Sequence, residues 1–320
     1  MITPQEVIDA IESLPPIQDE SERNYLGASS IGETCARKLW LQFHKYVEPE
    51  AFSARMLRLF HRGQREEPYM QMYLEQIGFE IVETCHSQKR WVMRFSSGAA
   101  DGIAEKDGKR YVLEYKTASD SAFKQLKHGE LETIKPLHYA QIQINGDEFE
   151  CDYGLYLVVN KNTDELFCDI IPIERAKASA LREKAEYVTM ADKPPERITN
   201  KPTAFACKFC HARDVCWGFD KPRVNCRSCT SATKHPEFGT FGCSKIQKEG
   251  TPEQRTANNQ LPGEGHCDHH SFNPYAMQEL YGWEPKEFLP QQRAVIYIKP
   301  DKSELTNGFD FVQSKDLTIC

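Results

Sequence analysis

Two groups of residues in this 320-residue chain could do chemistry. The first is Ala100-Asp101-Gly102 followed by Leu113-Glu114-Tyr115-Lys116. Strand side chains alternate faces, so Glu114 and Lys116 project the same way. A tight turn at Asp107-Gly108 between the two segments can return Asp101 alongside them. Two carboxylates and a lysine at one spot suit a hard divalent cation, Mg2+ or Mn2+. Asp101, Glu114 and the carbonyl of Tyr115 would be its oxygen ligands. Such an ion lowers the pKa of a bound water and stabilises charge on a phosphodiester under attack. Lys116 would position that water or help deprotonate it. The bland alternative is a salt-bridged strand face, since an acid-x-Lys triplet alone is common.

The second group is the cysteines, twelve in all. The chain has no apolar run long enough for a bilayer and no leader-like apolar segment. A cytoplasmic, membrane-free protein is therefore expected, where disulfides are rare and metal ligation is the better use of thiols. Cys85, Cys151, Cys168 and Cys320 are scattered and read as bystanders. Cys207, Cys210 and Cys216 form C-x2-C-x5-C and, with distant Cys35, supply four thiolates. Zinc or an iron–sulfur cluster could use them. Cys226, Cys229, Cys243 and Cys267 form C-x2-C-x13-C-x23-C, crowded at the end by His266, His269 and His270. A zinc site of four cysteines is expected there, with His269 or His270 as substitutes for Cys267. Metal would let a polar, loop-rich segment hold a shape.

Charge is distributed unevenly. The total is −7, from 40 Lys+Arg against 47 Asp+Glu. Residues 35–65 and 201–245 each net +5, which leaves −17 on the rest. Basic segments on an acidic body can bind a polyanion despite the acidic total. Arg37, Lys38, Arg58 and Arg62 are the candidate phosphate contacts, and Trp40, Phe43 and Tyr46 are aromatics that could stack bases or simply pack.

These residues must be carried by regular elements. Thr3-Pro4-Gln5-Glu6 is a capping box that opens a helix to about residue 14. Ser30-Ile31-Gly32-Glu33 is a second, predicting a helix that carries Cys35, Arg37 and Trp40. A third helix through Met56 and Phe60 is predicted to break near 63–68, at Gly63 and Pro68, and resume to 77. Strands are predicted over 79–84, 90–95, 99–105 and 110–117. Helices follow at 121–127 and 136–145, strands at 153–159 and 165–171, and a long helix at 174–190. The order indicates an α/β or α+β core of about 190 residues. Composition shifts after Asp192 to a cysteine-rich segment, then to a tail with a strand at 294–298. We divide the chain into 1–220, the core, and 221–320, a small metal-stapled module with the tail.

The acid constellation resembles the PD-(D/E)XK nuclease superfamily. Asp101 matches the first acid and Glu114-Tyr115-Lys116 the E-x-K, with Ala100 where the family name has Pro. Gly63-Gln64-Arg65-Glu66-Glu67-Pro68 looks like the G-x-x-x-E-P element of lambda-exonuclease and YqaJ-type members, which implies that Glu67 is a further metal-site acid. His61 is the alternative, as the histidine that precedes the core in RecB-like members. His138-Tyr139-Ala140-Gln141 resembles the helix bearing Q-x-x-x-Y. Gln141 carries over; Asn145 stands where Tyr is expected. One cysteine before the core and three after it, with Cys35-x-Arg37, is similar to the AddB-type and CRISPR-adaptation iron–sulfur exonucleases over roughly residues 25–220. The second cysteine set resembles, more loosely, a tail appended to phage-type iron–sulfur nucleases.

The resemblance implies a restriction-endonuclease-like core with a central mixed sheet flanked by helices, and a 4Fe–4S cluster on Cys35, Cys207, Cys210 and Cys216. It also implies a metal-dependent exonuclease acting on single-stranded DNA or duplex ends in recombination, repair or phage DNA processing. A recombination or replication protein would be its partner. The competing readings are a nucleic-acid-binding iron–sulfur protein with a vestigial site, and a redox sensor. No nucleotide or flavin signature supports the latter.

Overall fold

The computed structural model describes residues 2–14, 22–84, 89–244, 270–289, 294–308 and 314. The protein is a mixed α/β chain built around a five-stranded sheet of order β2-β5-β6-β7-β8. These strands are β2 (Glu80–Glu83), β5 (Gly102–Lys106), β6 (Lys109–Ala118), β7 (Tyr153–Asn160) and β8 (Leu166–Pro172). All pairs are antiparallel except β6 with β7, which run parallel. A parallel pair needs a crossover. Here α5 (Asp120–Leu126), α6 (Leu131–Ile134) and α7 (Pro136–Glu148) supply it. The expected central mixed sheet flanked by helices is present.

The β5–β6 hairpin turns on Asp107-Gly108, with φ of 51° and 71°. Positive φ at both central residues is the tight turn whose twist matches the strands. The predicted strand over 99–105 is instead two. β4 (Ser96–Ala99) ends before Asp101 and joins β3 (Arg90–Met93) and β1 (Leu26–Gly27) in a separate small sheet. Close packing explains the break: a Cβ on Gly98 would meet Trp91, Ala28 and Asn145 at 2.6–2.7 Å. Buried Asn145, on α7, accepts a hydrogen bond from Trp91 Nε1 (2.8 Å) and donates to the Ala99 carbonyl (2.9 Å).

Two helices also differ from the sequence reading. α4 (Ala54–Gln76) runs unbroken through Gly63 and Pro68. Gly63, Glu67, Met70 and Leu74 fall on one face, at spacings of four, three and four. Met70 and Leu74 are buried against Leu113, Tyr115, Leu155 and Leu157 of the sheet. That tertiary burial outweighs the one hydrogen bond Pro68 removes. Ser30 lies within a short turn of helix, α2 (Ala28–Ile31), and α3 (Ala36–Phe43) starts at Cys35, whose Sγ accepts from Lys38 N at 3.4 Å. α1 (Pro4–Glu12) has the expected capping box, and α8 (Arg175–Met190) is the expected long helix.

Beyond the core come α9 (Phe205–Lys208), α10 (Arg213–Cys216), the hairpin of β9 (Ala232–His235) and β10 (Thr240–Cys243), and α11 (Pro274–Tyr281). A three-stranded antiparallel sheet follows, β11 (Glu284–Leu289), β12 (Ala294–Ile298) and β13 (Glu304–Asn307). Phe241, Ala276 and Leu280 join the same apolar cluster as Trp40, Phe43 and Phe95. No helix among the described residues is long and apolar enough to cross a membrane.

Candidate active site

The β5–β6 register sets Gly102 opposite Leu113, so Asp101 falls next to Glu114 just beyond the hairpin. Asp101 Oδ2 accepts a hydrogen bond from Tyr115 N at 2.9 Å, which pins it to β6. Lys116 Nζ ion-pairs with Glu114, stands 3.7 Å from Asp101 Oδ2 and donates to the Tyr115 carbonyl at 3.0 Å. The Asp101, Glu114 and Tyr115 oxygens therefore share one cation. Glu114 is 1% exposed and Lys116 28%. The Lys116 ammonium is the charged partner of the buried Glu114 Oε1.

Glu67 belongs to this group. Burial and the charge of Asp101 push its carboxyl up to about 7, with Lys116 opposing. Burial pushes Glu114 up to about 8, with Asp101 and Glu67 adding and Lys116 opposing. Burial works against the Lys116 charge, but Glu114 and Asp101 outweigh it and hold the ammonium above its ordinary value. Three carboxylates share one ammonium in a poorly solvated spot, so protons are forced onto Glu67 and Glu114. A hard divalent cation fits that surplus of acidic groups over the single ammonium. His61 lies on α4 six residues before Glu67, about 240° round the helix, so the two do not share a face.

The site opens into a cavity of about 380 Å3 that Asp101, Lys116, Gln141 and His138 line together. Gln141 thus shares the cleft with Asp101 and Lys116. His138 and the cleft arginines are additions that sequence reasoning missed. The His138 ring meets Tyr156 OH at 2.7 Å, and burial, with Lys116 and Lys135, drives its pKa down to about 3, so it is neutral. Arg23 and Arg90 line the same cavity and stack on Tyr25 at 5.9 and 5.5 Å. Arg90 also donates to Tyr25 OH and Ser97 Oγ. Among the described residues neither arginine pairs with a carboxylate. His138 stood inside the quoted helix motif and was legible there. Arg23 and Arg90 carried no local signal.

The other candidate cations lie elsewhere. Arg37 is 1% exposed and donates to the carbonyls of Pro195 (2.7 Å) and Glu279 (3.0 Å), so its guanidinium is spent on the fold. Lys38 pairs with Glu33, Arg58 with Glu12, and Arg62 donates to the Lys161 carbonyl. Trp40, Phe43 and Tyr46 are buried, which makes them packing residues.

No disulfide joins the described cysteines to one another. Cys35, Cys210 and Cys216 lie within electrostatic range of one another. The backbone N–H groups of Lys38 and Ala212 point at the sulfurs of Cys35 and Cys210, the kind of bond that supports thiolate ligands. These donors suit a thiolate-held centre, with Cys207 three residues before Cys210. In the second set, Cys229 lies within electrostatic range of Cys243, and Ser231 N donates to Cys229 Sγ at 3.4 Å. Cys226 is half-buried close by in sequence. Cys267, His266 and His269 lie outside the described residues. His270 is buried with both ring nitrogens on hydroxyls, Ser228 Oγ (3.2 Å) and Ser314 Oγ (2.8 Å), which removes it as a substitute ligand. Among the described residues no three His, Cys, Asp or Glu side chains converge into a ready-made metal cage. Magnesium does not need one, since it keeps several waters and takes only one or two carboxylates.

No family model matches the chain, and no curated protein matches it. Solved structures with a similar course include an alkaline exonuclease, LHK-Exo, from Laribacter hongkongensis (14% identity, TM-score 0.40, covering 52% of this chain and 87% of that one). The same enzyme in complex with dAMP gives 14% and 0.39, over 52% and 86%. A phage related exonuclease from Haemophilus somnus 129PT gives 11% and 0.39, over 52% and 92%. At these scores the likeness assigns nothing, and the weight rests on the geometry of Asp101, Glu114, Lys116 and Glu67.

Proposed function

We propose that this chain is a divalent-metal-dependent deoxyribonuclease, an exonuclease acting on single-stranded DNA or on duplex ends. One observation carries the reading. A buried, over-acidic cluster of Glu67, Asp101 and Glu114 around the Lys116 ammonium opens into a cleft walled by two guanidiniums that, among the described residues, pair with no carboxylate. The cluster wants a cation and the cleft wants an anion. A phosphodiester bound with Mg2+ or Mn2+ supplies both.

Asp101, Glu114, the Tyr115 carbonyl and Glu67 would hold the ion, and His61, on another face of α4, would not take the place of Glu67. When bound, the ion supplies Lewis acidity toward the phosphate and acidifies a water. Arg23 and Arg90 anchor phosphate oxygens at the cleft wall. Lys116 presents its ammonium to the attacking water and to charge developing on the phosphate. The Gln141 amide donates to the substrate, and neutral His138 holds Tyr156 in place beneath it.

Cys35, Cys207, Cys210 and Cys216 would hold a 4Fe–4S cluster that ties the end of the core back to its start. Cys226, Cys229, Cys243 and Cys267 would hold zinc. Recombination, repair or phage DNA processing, with a partner protein of that machinery in a bacterial or infected cytoplasm, follows from the resemblance of the motifs.

The test is anaerobic purification with iron and zinc analysis, then digestion of labelled single- and double-stranded DNA with Mg2+ or Mn2+. Lys116→Ala should lower the rate by about 100-fold or more. Equal digestion by wild type and Lys116→Ala refutes the catalytic assignment. Zinc near two per chain with no iron refutes the cluster.

A further inference from the structure

Phe205 and Phe209 are the two most exposed large apolar residues among those described, at 85% and 79%. They flank Cys207 on and just after α9, with ring centroids 6.3 Å apart in an edge-to-face arrangement. Residues 197–213 hold four cations, Arg197, Lys201, Lys208 and Arg213, and no acid. Arg197 is spent on the Cys216 carbonyl and on the Trp217 ring, and Arg213 on Asp214. Lys208 lies 5.4 Å over the Phe209 ring. Among the described residues no carboxylate pairs with Lys201 or Lys208. Elsewhere on this acidic body lysines are neutralised, as with Lys124, Lys127 and Lys177.

Highly exposed aromatic rings beside lysines with no carboxylate partner among the described residues match one class of ligand, a chain of flat bases on a phosphate backbone. A hydrophobic protein partner would not call for the cations, and a duplex keeps its base faces stacked internally. The position is suitable. Cys210 is in electrostatic range of Cys35. Cys35 is six residues beyond Ser29 of the cleft wall, at most about 20 Å of chain.

We propose that Phe205 and Phe209, with Lys201 and Lys208, form a stacking platform for single-stranded DNA outside the catalytic cleft. It rests on the nuclease reading above, and it adds a place where the strand is held before it reaches the metal site.

The test uses the full-length protein, in EDTA, with labelled oligo(dT) followed by fluorescence anisotropy. Phe205→Ala and Phe209→Ala should each weaken binding by about 5- to 100-fold. Phe205→Tyr and Phe209→Tyr keep a ring and should bind within about threefold of wild type. Lys208→Ala should reduce the slope of log affinity against log salt by about 0.7. Wild-type affinity in the Phe205→Ala/Phe209→Ala double variant overturns the platform. So does an equal loss in the alanine and tyrosine variants. Wild-type protein that binds oligo(dT) through these rings but digests no DNA with Mg2+ or Mn2+ overturns the nuclease reading and leaves the platform standing.

Discussion

Replacing Glu114 by Gln should make the metal-free protein more stable while destroying its activity. Glu114 is 1% exposed, and its carboxyl is pushed up to about 8 from an ordinary 4.5. Below pH 4.5 the group is protonated in both folded and unfolded chains and costs nothing. Between 4.5 and 8 the unfolded chain releases the proton and the folded chain keeps it, so stability falls as pH rises. Each unit is worth about 1.4 kcal/mol, and at pH 7 the interval crossed is about 2.5 units, an upper figure of ~3.5 kcal/mol. The Gln amide resembles the protonated acid and avoids the cost, but Lys116 loses a partner. A net gain of ~1–3 kcal/mol at pH 7 remains, roughly 2–10 °C in apparent Tm for a chain of this size. Near pH 5 the gain should shrink below ~1 kcal/mol. Divalent metal should reverse the ranking. At about 100 times its Kd it stabilises wild type by ~3 kcal/mol, and it should do much less for the variant. Thermal melts in EDTA and in Mn2+ at pH 5, 7 and 8.5, beside a digestion assay, measure all of this. A Glu114→Gln protein less stable than wild type at pH 8.5 in EDTA, or equally stabilised by Mn2+, refutes the argument that Glu114 is a strained ligand awaiting a cation.

Other expectations follow from the same geometry. Metal must displace protons from Glu67, held near 7, and Glu114, held near 8, so Mn2+ binding should release protons at pH 6.5 and few at pH 9. Calorimetry in two buffers of different ionisation heat reads this directly; pH-independent affinity would contradict it. Asn145→Ala strands Trp91 Nε1 and the Ala99 carbonyl and should cost ~2–4 kcal/mol in denaturant titrations. Arg90→Ala should weaken DNA binding and reduce its salt slope by about one unit or slightly less. Arg37→Ala should leave that slope unchanged and instead lower the melting temperature, because its buried guanidinium serves Pro195 and Glu279.

Much of the site was legible from local patterns. Alternation along a strand puts Glu114 and Lys116 on one face regardless of surroundings. The Asp107-Gly108 turn admits few geometries, and so it sets the register that brings Asp101 near. Glu67 rested on a motif resemblance, and the helix spacing of Gly63, Glu67, Met70 and Leu74 was available to support it. The predicted break at Gly63–Pro68 failed because a local rule was applied where burial of Met70 and Leu74 decides. The continuous strand predicted over 99–105 failed because Gly98 is pressed against Trp91, Ala28 and Asn145, contacts that span up to 70 residues.

The sequence alone determined which chemistry was on offer: oxygen ligands at strand spacing, thiolates at knuckle spacing and cations in two blocks. Those patterns are short-range, so side-chain periodicity and turn stereochemistry suffice to read them. Only the tertiary structure decided which groups face one another and which face water. It buried Arg37 although it lies in a basic block, sent both nitrogens of His270 to serine hydroxyls, and brought Arg23 and Arg90 to the mouth of a cleft. It also left Phe205 and Phe209 exposed to solvent. Burial and pairing depend on contacts between residues far apart in the chain, and no local pattern encodes them.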